Sequence, residues 1–328
     1  MTARMRIACL GAGRMGRGIA VAFAYAGHAV TMIDVKERAP EQFAQLESDA
    51  LGEVKATLAT MTKLGILRDC EAEIVMSRVA VVPGRESGTA LAQTGLVFEG
   101  VPEIVDLKRE VLGAASRAVG PDVIIASTTS TILVDDLSDA VVNPRRFLNA
   151  HWLNPAYLIP LVEISPGAAT DPDVVTELKA LLEGIGKVPV VCAATPGFIV
   201  PRIQTLAMNE AARMVGEGVA NAEEIDKAIR YGFGFRYAVL GLLEFIDWGG
   251  GDILYYASRY LEGALGSDRY RAPDVIARNV EQGRIGLRTG AGFLDYTGID
   301  VDSYREQRLA ALADMLRHFK LARPPVVD

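Results

Sequence analysis

The chain of 328 residues carries 34 lysines and arginines against 41 aspartates and glutamates, a formal net charge of −7, and is 50% hydrophobic. That length and apolar content support a large buried core and suit two domains better than one. An acidic balance without a long basic run excludes the electrostatic footprint of a nucleic-acid binder, although a local basic pocket for a phosphorylated ligand is compatible with it.

The first predicted element is the apolar run over 5–10. It meets glycine at once and is too short for a signal-peptide core or a membrane span, so no targeting segment and no membrane partner are expected. The cysteines Cys9, Cys70 and Cys192 are far apart and odd in number, which fits neither a metal cluster nor a disulfide framework. A reducing cytoplasm is the expected compartment, with no bound metal.

G-A-G-R-M-G-R-G follows, then the helical stretch I-A-V-A-F-A-Y-A-G and a second apolar run, A-V-T-M-I-D. Strand, glycine turn, helix and strand in this order are the βαβ unit of a parallel sheet. Gly11 permits the tight turn, Gly13 lets the backbone approach a pyrophosphate, and Gly16 lets the helix lie close to the strand. Met15 falls in the same turn, where the helix N-terminus offers unpaired N–H groups to an anion. Asp34 ends the second strand, where a carboxylate accepts from ribose hydroxyls and repels a 2′-phosphate. NAD is the expected cofactor; Lys36 and Arg38 beside it keep NADP open.

Residues 39–76 carry two helical patterns separated near Leu64 and Gly65, which predicts a helical hairpin inserted after the second strand. R-V-A-V-V-P, G-L-V-F-E-G, V-I-I-A-S-T-T-S, R-R-F-L-N-A-H-W and K-V-P-V-V-C-A read as further strands. The expected fold is α/β, a Rossmann-type doubly wound parallel sheet over 1–194. After the Pro/Gly-punctuated A-A-T-P-G-F-I-V-P-R, residues 195–328 read as an all-helical second domain. The apolar face of its first helix, 202–215, and the aromatic D-I-L-Y-Y-A-S-R-Y-L predict a homodimer through that domain.

One of the three histidines lies in N-A-H-W-L-N-P-A-Y-L-I-P-L-V-E. Taken alone, His151 reads equally well as a packed core residue with satisfied nitrogens. Its company decides the matter. G-A-G-R-M-G-R-G with Asp34, F-E-G-V-P-E with Lys108, S-T-T-S-T, H-W-L-N-P…P-L-V-E, P-G-F-I-V-x-R and G-L-R-T-G-A-G-F-L-D-Y together resemble the L-3-hydroxyacyl-CoA dehydrogenase superfamily over nearly the whole chain. The resemblance implies an NAD-dependent dehydrogenase acting on a secondary CH–OH group. It implies His151 as catalytic base, Glu163 as its partner, and Ser130 and Asn154 as holders of the substrate oxygen. Glu103 would lie near the nicotinamide, with Lys108 on the same cofactor side.

The chemistry suits these residue types. Alcohol oxidation removes a hydroxyl proton as hydride leaves the same carbon, a proton that imidazole accepts near neutrality, and a carboxylate on the other ring nitrogen fixes the tautomer. Other readings stay open: Ser130 as the end of a strand, Asn154 as a turn former before Pro155, Glu103 as an acid at a helix start. A lens crystallin shares this fold, so a non-catalytic NAD-binding protein is the competing class. The intact set argues for the enzyme.

Two departures bear on the substrate. Pro201 stands where the family usually has asparagine after G-F-I-V, and proline offers neither amide group. T-L-A-T-M-T-K-L-G keeps Lys63 alone where the family's CoA-binding helix has a lysine cluster. Y-G-F-G-F-R-Y-A-V-L-G, moreover, is similar to the free-acid members, the L-gulonate and L-carnitine dehydrogenases, which makes Arg236 a candidate carboxylate fork or, more plainly, half of an ion pair. The terminal G-L-R-T-G-A-G-F-L-D-Y is similar to the 3-hydroxybutyryl-CoA enzymes. The expected substrate is a short 3-hydroxyacyl-CoA such as 3-hydroxybutyryl-CoA, with a small free 3-hydroxy acid as the alternative.

Overall fold

The computed structural model describes residues 4–327. The chain divides into two compact units, Met1–Ala207 and Met208–Asp328. The first holds the strands β1 (Arg6–Leu10), β2 (Ala29–Asp34), β3 (Val79–Pro83), β4 (Leu96–Glu99), β5 (Ile124–Ser127), β6 (Phe147–Trp152), β7 (Leu161–Pro166) and β8 (Val188–Val191). Its helices are α1 (Arg14–Tyr25), α2 (Pro40–Lys63), α3 (Asp69–Met76), α4 (Ser87–Leu91), α5 (Val105–Ala118), α6 (Asp135–Ser138) and α7 (Pro172–Gly184). The strands form one sheet in the order β3-β2-β1-β4-β5-β6-β7-β8. A parallel sheet is covered on both faces, and the strands are accordingly rich in buried apolar residues, with a few buried polar side chains on β4, β5, β6 and β7. One face packs Phe23, Phe98 and Trp152 with the α2 stripe Ala50, Val54 and Leu58; the other packs Leu112, Val134 and Phe147.

All strand pairs are parallel except β6 with β7. The reason lies in the connection, residues 153–160, which is shorter than the dozen or more residues that a parallel crossover needs. The chain must turn back beside itself. The register then sets His151 opposite Glu163 and Asn149 opposite Ser165. Lys187 braces this connection, donating from Nζ to the carbonyls of Ala156 (2.6 Å) and Ile159 (2.8 Å). Its ammonium lies 5.5 Å from the centre of the Trp152 ring, and burial lowers its pKa below the ordinary lysine value.

The helix α8 (Val200–Gly216) runs through the division between the units. Pro201 is its second residue, where a missing N–H is no loss because the first-turn donors have no intrahelical partner. The second unit continues with α9 (Ala222–Ala228), a π-helical turn Ile229–Phe233, α10 (Gly234–Tyr237), α11 (Leu242–Gly249), α12 (Gly251–Leu265), α13 (Asp274–Glu281) and α14 (Val301–His318). The unit is helical as expected, but its hydrogen-bond pattern changes over Ile229–Phe233, where Gly232 and Gly234 weaken the helix.

The G-L-R-T-G-A-G-F-L-D-Y segment folds around Asp247, which is 2% exposed. The Asp247 carboxylate accepts from Phe293 N (2.9 Å), Leu294 N (2.8 Å) and the Tyr296 hydroxyl (3.3 Å). A Cβ on Gly292 would collide with that carboxylate, which accounts for the glycine. Glu244 ties α14 to α11 by accepting from Arg308 Nε at 2.7 Å and from the Tyr304 hydroxyl. Among the described residues no helix is long and apolar enough to cross a membrane.

Candidate active site

The glycine turn between β1 and α1 is built as its spacing predicts. Gly11 has φ +102°, in the region that favours glycine, and its N–H donates to Ile33 O at 2.8 Å. A Cβ on Gly16 would overlap the Gly11 carbonyl oxygen, so only glycine lets α1 lie this close to β1. At Gly13 a Cβ would meet nothing within 4 Å, which leaves the α1 N-terminus open to a ligand. No side chain caps that terminus and no acid occupies the first turn, so its N–H groups face the opening unpaired. Met15 is half-buried and packs against the core.

Asp34 is 4% exposed at the end of β2 and accepts from Lys36 N (3.3 Å) and Arg38 Nε (2.6 Å). Arg38, which kept NADP open on the sequence, is thus tied to Asp34. A cavity of about 530 Å³ lies beside Asp34, lined also by Arg38, Pro83, Arg85 and Val111. An open helix N-terminus, a buried acid at the end of β2 and the cavity beside it fit a dinucleotide.

On β4 and the start of α5 lies a buried ionic group. Lys108 is 1% exposed and donates from Nζ to Glu99 Oε1 (2.8 Å), Glu99 Oε2 (3.1 Å) and Val101 O (3.2 Å), with Glu103 Oε2 at 3.3 Å. Its charge is spent inward. The expectation that Lys108 faces the cofactor is corrected to a supporting place beneath Glu103. Glu103 Oε1 in turn accepts from Ser130 N (3.1 Å), Thr131 N (3.1 Å), Thr131 Oγ1 (2.9 Å) and the Thr129 hydroxyl. Burial works to raise the Glu103 carboxyl, but the Thr129 hydroxyl, the Lys108 ammonium and Thr131 outweigh it and hold the group below its ordinary value. Glu103 therefore shapes the S-T-T-S-T loop and leaves Ser130 exposed at its tip.

His151 and Glu163 meet across the antiparallel pair. His151 is 6% exposed, and its Nδ1 lies 2.7 Å from Glu163 Oε2. Glu163 Oε1 accepts from Ile199 N (2.9 Å) and Val200 N (2.8 Å) at the start of α8. A carboxylate satisfied by donors only accepts, so Nδ1 carries the ring proton and Nε2 of the neutral imidazole is the bare acceptor. Phe198 packs on the imidazole with ring centroids 5.5 Å apart. It holds φ +44°, rare for a residue with a side chain, and is buried.

Sequence reasoning took P-G-F-I-V-P-R as a domain crossing and as one motif of the family resemblance, and missed both the two amides and the phenylalanine. The glycine immediately before an apolar pair was the available signal. Asn154 is exposed in the 153–160 connection and lines a cavity of about 280 Å³ with Arg14, Arg17 and Tyr157, so that this connection and the α1 terminus share one recess.

In the second unit Arg236 is exposed. Its Nε donates to Gly232 O at 3.0 Å, and its guanidinium lies 4.6 Å from the centre of the Phe245 ring. Among the described residues it makes no ion pair, so the plain ion-pair reading finds no partner.

The family model described as 3-hydroxyacyl-CoA dehydrogenase, NAD binding domain, matches residues 6–195, and the corresponding C-terminal domain model matches 197–296. The chain is similar to 5-formyl-3-hydroxy-2-methylpyridine 4-carboxylate 5-dehydrogenase of Mesorhizobium japonicum, 30% identical over 95% of this chain and 97% of that one. It is likewise similar to 3-hydroxybutyryl-CoA dehydrogenase of Bradyrhizobium diazoefficiens, 32% identical over 89% of this chain and 96% of that one. Among solved structures, the 3-hydroxyacyl-CoA dehydrogenase of Archaeoglobus fulgidus superimposes with a TM-score of 0.74 at 30% identity, over 97% of this chain and 100% of that one. With the glycine cradle and the histidine–glutamate pair in place, the chain belongs to the 3-hydroxyacyl-CoA dehydrogenase family and is an NAD-dependent oxidoreductase acting on a secondary hydroxyl.

Proposed function

We propose that the protein oxidises the hydroxyl of a small 3-hydroxy acid whose carboxylate is free, with His151 as the general base and Arg236 as the carboxylate fork. The unpaired Arg236 guanidinium carries this reading, since an exposed arginine over an aromatic ring is pre-organised for a planar anion. The hairpin argues the same way. Residues 40–76 hold seven acids against three bases, a poor surface for the phosphates of a CoA. Phe319, which follows α14 beyond the family's C-terminal model, packs on Phe235 of α10 with ring centroids 6.2 Å apart. The Mesorhizobium relative, which matches nearly the whole chain, is named for a carboxylate substrate. The acyl-CoA reading expected from sequence is favoured instead by the name of the Bradyrhizobium relative, and it is kept as the second reading.

In this account Glu163 holds the His151 tautomer and stabilises the imidazolium that forms when Nε2 takes the hydroxyl proton. Ser130 and Asn154 orient the substrate oxygen, and Glu103 fixes the Ser130 loop. Asp34 receives the adenosine ribose, and the Gly11–Gly13–Gly16 turn receives the pyrophosphate. NAD, when bound, supplies the hydride acceptor. We also infer a homodimer through the second unit, because Ile253 (60% exposed), Tyr256 (63%) and Tyr260 (73%) of α12 form a large apolar face.

Three outcomes follow. His151→Ala should keep the affinity for NAD in a fluorescence titration and lower kcat by about 10²-fold or more, the scale of general-base catalysis. Turnover at the wild-type rate would remove His151 from the mechanism. Arg236→Met should cost about 30- to 10³-fold in kcat/KM for free L-3-hydroxy acids and little for 3-hydroxybutyryl-CoA. Efficient thioester oxidation that ignores the substitution, with no activity on any free acid, would decide for the second reading. Sedimentation at micromolar concentration should show a dimer; a monomer alone would contradict the interface.

A further inference from the structure

A row of polar side chains crosses four adjacent strands one rung below the histidine–glutamate pair. The register sets Glu99 of β4 beside Ser127 of β5, Ser127 beside Asn149 of β6, and Asn149 beside Ser165 of β7. Paired positions direct their side chains to one face, and residues two apart on a strand share it, so this row lies on the face of His151 and Glu163. All four members are at most 1% exposed. At one end Ser127 Oγ donates to Glu99 Oε2 at 2.5 Å.

Asn149 breaks the pattern of satisfied buried groups. Its Nδ2 donates to Ile132 O at 3.0 Å. A backbone carbonyl only accepts, so this contact fixes which way the amide points. Oδ1 is then turned away and has no protein partner, and neither has Ser165 Oγ. An unpaired buried amide oxygen lowers stability. An apolar side chain would need no partner there, so what asparagine adds at this position is the Nδ2 contact.

That contact reaches the loop bearing Ser130. Glu103 holds residues 129–131 from one side, and Asn149 holds Ile132 from the other. Asn149 stands two residues from His151 on the same strand. We propose that Asn149 is a positioning residue that ties the Ser130 loop to β6 and so fixes the Ser130 hydroxyl relative to the His151 imidazole. Without this tie Glu103 is the one side chain from outside β5 and the loop that still holds residues 129–131, and Ser130 gains freedom to pivot away from the imidazole. The inference rests on the roles given above to His151 and Ser130.

The test is a double-mutant cycle with Asn149→Leu, which keeps the branched shape and removes both the donor and the orphan oxygen, with Asn149→Ala as a second variant because leucine is the larger side chain. Each is assayed with whichever of L-3-hydroxybutyrate and 3-hydroxybutyryl-CoA the wild type turns over. Asn149→Leu should lower kcat by about 10- to 10²-fold, the scale of a misplaced reacting group, with NADH affinity unchanged and a melting temperature at or above wild type. Ser130→Ala with Asn149→Leu should be no slower than Ser130→Ala alone, because both act through one hydroxyl. A kcat within twofold of wild type, a loss that tracks a lowered melting temperature, or additive losses in the double variant would overturn the proposal. Wild-type turnover in Ser130→Ala would instead defeat the role given to Ser130, and this inference with it.

Discussion

The 2.7 Å hydrogen bond between His151 and Glu163 is set by backbone register. Two side chains twelve residues apart become direct partners only because β7 runs back along β6. Glu163 is 1% exposed, and a buried carboxylate has to be compensated. One oxygen meets the imidazole, and the other meets the amides of Ile199 and Val200. Three segments of chain therefore converge on one carboxylate: β6, β7 and the start of α8. On the opposite face Trp152 locks the same strand into the core against Phe23 and Phe98, at 6.0 and 5.6 Å between ring centroids.

The cofactor side follows the same economy of charge. Lys108 neutralises Glu99 and steadies Glu103 without reaching the opening. Buried ion pairs of this kind add little to stability over apolar residues of equal size, and their value here is positional. Glu103 converts that position into the shape of the Ser130 loop. Two polar rungs on one sheet face thus hold the histidine–glutamate pair and the side chains beneath it, while the glycine turn and Asp34, the groups proposed for the dinucleotide, lie at the ends of β1 and β2.

Much of this is legible in the sequence because it is local. The Gly11–Gly13–Gly16 turn and Asp34 lie in one βαβ unit, and apolar runs marked every strand of the sheet but β7. What escaped is set at a distance. The antiparallel step follows from the length of the 153–160 connection, not from any residue in it. Lys108 was expected to face the cofactor, because nothing in F-E-G-V-P-E shows that Glu99 is buried and needs a cation. The amides of Ile199 and Val200 lie 36 and 37 residues from Glu163, and backbone donors leave no mark on residue type. Asn149 read only as part of a strand, since its partners Ile132 and Ser165 are brought to it by the register. Arg236 was visible as a cation, and its want of an acid partner was not.

The most direct test of the account is the protonation pattern of one ring. With uniformly ¹⁵N-labelled protein, the three histidines can be separated by comparison with a His151→Gln variant and their ring nitrogens read by NMR at a pH where His151 is neutral. The geometry requires a protonated Nδ1 held by Glu163 and a bare Nε2 ready to accept a hydroxyl proton. A neutral His151 with its proton on Nε2 would contradict it.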